Sequence, residues 1–220
     1  MNITNLIDKT LTKKQELRKN RKSSGKISPS GLGRCWRFQI WKRQGKEPSN
    51  PIDNRSLRVF ECGTIFHDWI QGLLGEVESE VLCEKDDIKG YADLVTKDEV
   101  IDLKTTHSRG FWYMKKKGYD INKEKFGNIL QVICYAWILG KPKARLCFIS
   151  KDDLCINEYV FFTDKWVDKV HLELASLRQW WEFSETPPPE PRAFKTECKY
   201  CVYQDCCKEE LCQKNTTKQK

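Results

Sequence analysis

Apolar residues recur at helical spacing between Ser56 and Leu74 (Ile65, Phe66, Trp69, Ile70, Leu73, Leu74), and Gly75 stops the run. Val77, Val81 and Cys83 then alternate with glutamates, the period of a half-exposed strand. Two more short strands are expected at 88–95 and 99–104, turning near Lys97-Asp98. Ile129, Leu130, Ile133, Ala136 and Trp137 predict a helix over 123–139. Strands follow at 144–150 and 154–162, and Thr163 or Asp164 is expected to cap a last long helix to Phe183. Residues 31–44 predict a short helix, 46–54 a loop and 106–122 a long polar and aromatic loop. Helix, strands, helix, two strands, helix describes an α/β core with a mixed sheet rather than a doubly wound parallel one.

The chain divides by composition into a basic N-terminal arm (1–27), a core (28–186) and a segment (187–220) that opens on the stiff run Pro187-Pro188-Pro189-Glu190-Pro191. Net charge is +8, and it resides in the ends: residues 1–27 carry eight Lys/Arg against Asp8 and Glu16, while the core is neutral. Basic ends on a neutral core suit attraction to a phosphate backbone or serve solubility. No apolar run reaches the ~18 residues of a membrane span, and the N-terminal arm has no apolar stretch of a secretory signal. The expectation is a cytoplasmic protein with no membrane partner. The 11 cysteines then argue for thiols or metal ligands rather than disulfides. Cys62, Cys83, Cys134, Cys147 and Cys155 read as small buried hydrophobes.

The chemistry concentrates in Gly90-Tyr91-Ala92-Asp93 and Val100-Ile101-Asp102-Leu103-Lys104. Residues two apart on a strand share a face, so Asp102 and Lys104 project together, and Asp93 reaches them from the neighbouring strand. Two carboxylates and an ammonium at one point suit a hard divalent cation and a group that orients water, a combination that cleaves phosphodiesters. Gly63-Thr64-Ile65-Phe66-His67 lies upstream, and Gln131 and Tyr135, four apart, share a helix face downstream. Taken singly, His67 reads as a packed histidine, Asp93 and Lys104 as an ion pair, and Tyr135 as core.

In this order the motifs resemble the PD-(D/E)xK nuclease superfamily, in particular its RecB-type branch, which includes the CRISPR-associated RecB-like exonucleases and the AddB nuclease domain. The resemblance runs from about Ser28 to Cys207. It implies a restriction-endonuclease-like core, a central mixed β-sheet flanked by helices and closed by a Cys-ligated cluster subdomain. It further implies Asp93, Asp102, the Leu103 backbone carbonyl and His67 as ligands of Mg²⁺ or Mn²⁺. Lys104 would position the attacking water, and Gln131 and Tyr135 would contact DNA and order the site.

Cys198-Lys199-Tyr200-Cys201 with one nearby third cysteine lacks a fourth ligand, which Cys35 can supply. The resemblance assigns Cys35, Cys198, Cys201 and Cys207 to a [4Fe–4S] cluster. Cys206 is an adjacent alternative and Cys212 a spare, and four thiolates suit tetrahedral zinc equally. Phe111, Trp112 and Tyr113 beside Lys115, Lys116 and Lys117 suit single-stranded nucleic acid, where bases stack and ammoniums track phosphates; packing of the aromatics onto the core is the competing reading.

The activity implied is DNA exonuclease action on ends or single strands in recombination, replication or repair, with endonuclease action open. Trimming of DNA fragments for CRISPR spacer acquisition, alongside an integrase, is a second reading. A non-catalytic DNA-binding module with a metal clasp is a third. No GxxxxGK[ST] loop is present, so an unwinding helicase would be a separate chain.

Overall fold

Asp53 accepts the Ser56 N–H at 2.6 Å, a side-chain cap that starts a 20-residue helix at Asn54. The computed structural model describes residues 2–19, 24–183, 185–194 and 196–217, with side chains to residue 210. Cys212 and the last residues of the basic tail lie outside those described side chains. In chain order the elements are α1 (Ile3–Lys19), α2 (Trp36–Arg43), α3 (Asn54–Leu73), β1 (Glu78–Lys85), β2 (Ile88–Val95), β3 (Glu99–Thr106), α4 (Ser108–Met114), α5 (Ile121–Glu124), α6 (Phe126–Ile138), β4 (Lys143–Ser150), β5 (Ile156–Phe162), α7 (Thr163–Glu182) and α8 (Gln204–Thr217). Short 3₁₀ turns occupy Pro29–Gly31 and Glu197–Tyr200.

Four expectations are corrected. The stretch 106–122 is not a loop: His107 and Asp120 each accept a backbone N–H two residues on and start α4 and α5. Residues 31–44 do not form one helix, because Gly33 takes a left-handed φ of 72° and α2 starts only after Cys35. Neither Thr163 nor Asp164 caps α7; the Thr163 hydroxyl donates instead to the Lys141 carbonyl at 2.8 Å. Cys62 and Cys155 are only partly buried, whereas Cys83, Cys134 and Cys147 are core. The basic arm carries α1, which packs on α3 through Lys14–Glu61 and Arg58–Asp8 ion pairs.

The five strands lie in the order β1-β2-β3-β4-β5, antiparallel except for the parallel pair β3–β4. The parallel step needs a long crossover, which α4–α6 supply. A larger core packs Val100, Leu146 and Phe148 against α6 and α7; a smaller one packs Leu94, Leu103, Cys147 and Ile149 beneath Phe66 and Ile70 of α3. The pairing of β2 with β3 covers only Leu94–Ile101 and Val95–Val100. At Asp93 the alternation slips: Ala92 belongs to the larger core and Leu94 to the smaller, while Glu80, between the β1 partners of those residues, takes φ 50°. The register thus loosens where the acidic residues converge.

Candidate active site

Asp102 is 1% exposed, and its two carboxylate oxygens are both buried. Oδ2 lies 2.6 Å from Lys104 Nζ, a charge-assisted contact, and Oδ1 is buried with no hydrogen-bond partner. Burial is the main cause that pushes the Asp102 carboxyl up to about 6, against the opposing pull of Lys104. Lys104 thus pairs with Asp102, its neighbour on the same strand face, rather than with Asp93.

Asp93 fills the place of a missing ladder contact. Its Oδ2 accepts the Leu103 N–H at 2.7 Å, and its Oδ1 lies 3.6 Å from His67 Nδ1 on α3. Hydrogen bonding to Asp93 raises the His67 pKa, opposed by burial. From α6, Gln131 Oε1 accepts from Lys104 Nζ at 3.3 Å. Tyr135 is buried, and desolvation, followed by the Asp102 charge, raises its hydroxyl pKa. A Cβ at position 90 would stand 2.8 Å from the Tyr135 hydroxyl and 3.0 Å from Pro29 Cδ, so the glycine of Gly90-Tyr91-Ala92-Asp93 makes room for that ring.

His67, Asp93, Asp102, Lys104, Gln131 and Tyr135 are therefore brought together from four elements, α3, β2, β3 and α6, across the β2–β3 opening. Sequence reasoning missed Gln71. One turn after His67 on α3, it donates at 3.2 Å both to the Asp93 carbonyl and to Glu80 Oε1. Its i+4 spacing from His67 was the available signal. Among the described residues no three His, Cys, Asp or Glu side chains are already gathered around one ion position. The donor set nonetheless fits a hard cation: a buried carboxylate with an unsatisfied oxygen, a second carboxylate and an imidazole.

Beyond Lys104, Trp112 is 50% exposed and donates to Asp153 Oδ2 at 3.2 Å, and Tyr113 is also exposed. Phe111 departs from the expected stacking surface, being fully buried in the core. Lys115 lies 5.1 Å from the Phe111 ring centroid and 5.4 Å from that of Trp112, Lys116 5.8 Å from that of Tyr113, and Lys117 is exposed.

The cysteines face a separate cavity of about 250 Å³, lined by Cys35, Cys198, Cys201 and Cys207 together with Arg34, Arg37 and Glu197. Cys206 is not on its wall; its Sγ donates to the Tyr203 carbonyl at 3.3 Å. Burial is the first cause raising the pKa of Cys198, Cys201 and Cys207, and neighbouring thiols add to it. Binding an electrophilic metal there would displace thiol protons. The nearby carboxylates Glu173 and Glu197 are buried and paired. Glu197 accepts from the N–H groups of Cys35, Arg192 and Ala193, and Glu173 from Gly33 N–H, Trp36 Nε1 and both terminal nitrogens of Arg192. Gly33 and Gly127 bring the early loop against α6, since a Cβ at Gly33 would sit 2.7 Å from Gly127 Cα.

No helix among the described residues is long and apolar enough to cross a membrane. No family model matches the chain, and no curated protein does. Among solved structures it is similar to the crystal structure of SSO0001, with TM-score 0.62 and 25% identity over 94% of this chain and 96% of that chain. It is also similar to the alkaline exonuclease LHK-Exo from Laribacter hongkongensis, with TM-score 0.52 and 13% identity over 72% of this chain and 88% of that chain. LHK-Exo in complex with dAMP gives the same TM-score at 14% identity. The chain thus shares its fold, a five-stranded mixed sheet flanked by helices, with a solved exonuclease.

Proposed function

We propose that this protein is a metal-dependent DNA exonuclease whose reaction centre is formed by His67, Asp93, Asp102 and Lys104. The observation that carries this reading is Asp102: a buried carboxylate with the Lys104 ammonium on one oxygen and no hydrogen bond to the other costs stability unless it has a ligand to serve. His67, Asp93, Asp102 and the Leu103 carbonyl would hold Mg²⁺ or Mn²⁺; the imidazole inclines the set toward Mn²⁺. Held there, the cation would supply Lewis acidity to the phosphodiester and to the attacking water. Lys104 turns its ammonium to the attacking water and offsets charge developing on the phosphoryl oxygens. Gln131 holds that ammonium from α6, and the Tyr135 ring behind Gly90 fixes the strand that carries Asp93. Trp112, with Lys115 to Lys117, offers a stacking face and phosphate contacts to a single strand.

The same reading assigns Cys35, Cys198, Cys201 and Cys207 to a structural [4Fe–4S] cluster. In support, the four thiols line one cavity of about 250 Å³, and four thiolates suit a cubane cluster as well as tetrahedral zinc. Cys207 rather than Cys206 completes the set.

End-labelled single- and double-stranded DNA incubated with the protein and Mn²⁺ or Mg²⁺ tests the proposal. Nucleotides should be released from ends, chelator should stop the release, and Lys104→Ala should abolish it while the protein stays folded. Intact DNA with the wild type, or full activity in Lys104→Ala, ends the assignment.

A further inference from the structure

Arg37 is 2% exposed, an unusual place for a side chain that stays charged at all working pH values. Its Nε donates to the Pro187 carbonyl at 2.7 Å, and its guanidinium lies 5.1 Å from the Trp41 ring centroid. Its Nη1 reaches Cys207 Sγ at 3.6 Å and Glu210 Oε2 at 3.5 Å. A buried cation needs negative charge nearby. Glu210 supplies it only in part, being half-exposed and also paired with Lys46 at 2.7 Å. Among the described groups that Arg37 contacts, the other that can carry negative charge is the Cys207 sulfur. The second arginine on the cavity, Arg34, is engaged elsewhere, 3.5 Å from Glu197 and 4.3 Å from the Phe38 ring centroid.

We propose that Arg37 is a positioning residue for the cysteine-held cluster: its N–H···S bond fixes the Cys207 thiolate as a ligand, and its charge favours the reduced cluster and slows its loss. This inference rests on the cluster reading above and extends it. Four thiolates give such a cluster net negative charge, and one-electron reduction adds more. A fixed cation and an N–H donor at one sulfur stabilise the reduced form relative to the oxidised form. Glu210, sharing the same guanidinium nitrogen, acts in the opposite sense.

The test uses full-length wild type, Arg37→Gln, Arg37→Lys and Glu210→Gln, reconstituted anaerobically with iron and sulfide and matched for fold by circular dichroism. Iron and sulfide content are measured first. The midpoint potential is then read by titration with dithionite followed by electron paramagnetic resonance, and cluster loss in air by visible absorbance. Arg37→Gln should shift the potential to more negative values and bleach several-fold faster. Arg37→Lys should fall between it and wild type, and Glu210→Gln should shift the potential to more positive values. Should Arg37→Gln not fold, the other two variants carry the test. Loaded variants with the wild-type potential and loss rate overturn this inference and leave the cluster standing. Wild type that takes up no iron overturns the cluster reading, and this inference with it.

Discussion

Asp102 and Glu173 are both buried carboxylates, 1% and 5% exposed, and they are treated in opposite ways. Glu173 receives Gly33 N–H, Trp36 Nε1 and a two-pronged Arg192 guanidinium at 2.6 and 2.7 Å. Asp102 receives one ammonium on Oδ2, and its Oδ1 has no hydrogen-bond partner. The first arrangement joins the early loop, α7 and the segment after the proline run into one unit. The second leaves lone pairs free for chemistry, at a cost to stability. Under the proposed function, the fully satisfied carboxylate is structural and the one short of partners serves the reaction centre.

The largest expected effect breaks or upholds this contrast at its functional end. Asp102→Asn should cut DNA cleavage about a thousandfold or more, the several kcal/mol that metal-assisted charge stabilisation supplies. The same variant should raise the thermal midpoint at neutral pH. A carboxyl lifted to about 6 by burial is destabilising when ionised, and the amide carries no charge to bury. A lower midpoint would show that Asp102 is a structural residue.

Glu173→Ala should do the reverse. Leaving Arg192 unpaired costs on the order of 3–5 kcal/mol, read by urea unfolding, with cleavage per folded molecule retained. A loss under ~1 kcal/mol, the range of an exposed pair, would remove the distinction.

Gly90→Ala probes the join between fold and site. The added methyl would stand 2.8 Å from the Tyr135 hydroxyl, an overpacking cost of about 1–3 kcal/mol. Because Tyr135 adjoins Asp102, kcat should fall more than KM rises.

The smallest effect belongs to an exposed control. Arg178 donates two hydrogen bonds to Asp87 and holds its carboxyl below the usual value. A depressed folded pKa gives stability that is complete above the unfolded pKa of about 3.9 and is lost as pH falls through the folded value. Asp87→Asn should flatten acid unfolding below about pH 4 by less than ~1 kcal/mol, since both partners are well exposed. A larger change would mean that exposed pairs here carry structural weight comparable to the buried network.

The strands and long helices were legible because each pattern repeats over many residues: the acid-bearing strands at 88–95 and 99–104 became Ile88–Val95 and Glu99–Thr106. The segment 106–122 was not, because α4 and α5 are short and depend on local acceptors such as the His107 ring nitrogen. Trp112 could be read as a surface aromatic, but Phe111, identical in local context, turned inward. Gln71 was overlooked because its partners, the Asp93 carbonyl and Glu80, lie in β2 and β1, and α3 reaches them only once the sheet has formed.

By itself the sequence determined the alternation of elements, the acidic residues and lysine on adjoining strands, and the cysteines at its two ends, since these depend on residue type and on backbone periods of 2 and 3.6. The tertiary structure alone decided that Lys104 pairs with Asp102 rather than Asp93, that Asp93 takes the Leu103 N–H, and that Cys207 faces the cavity while Cys206 turns to the Tyr203 carbonyl. Those outcomes depend on where a strand register slips and which side chain burial leaves without a partner, and both are set by contacts between segments far apart in the chain.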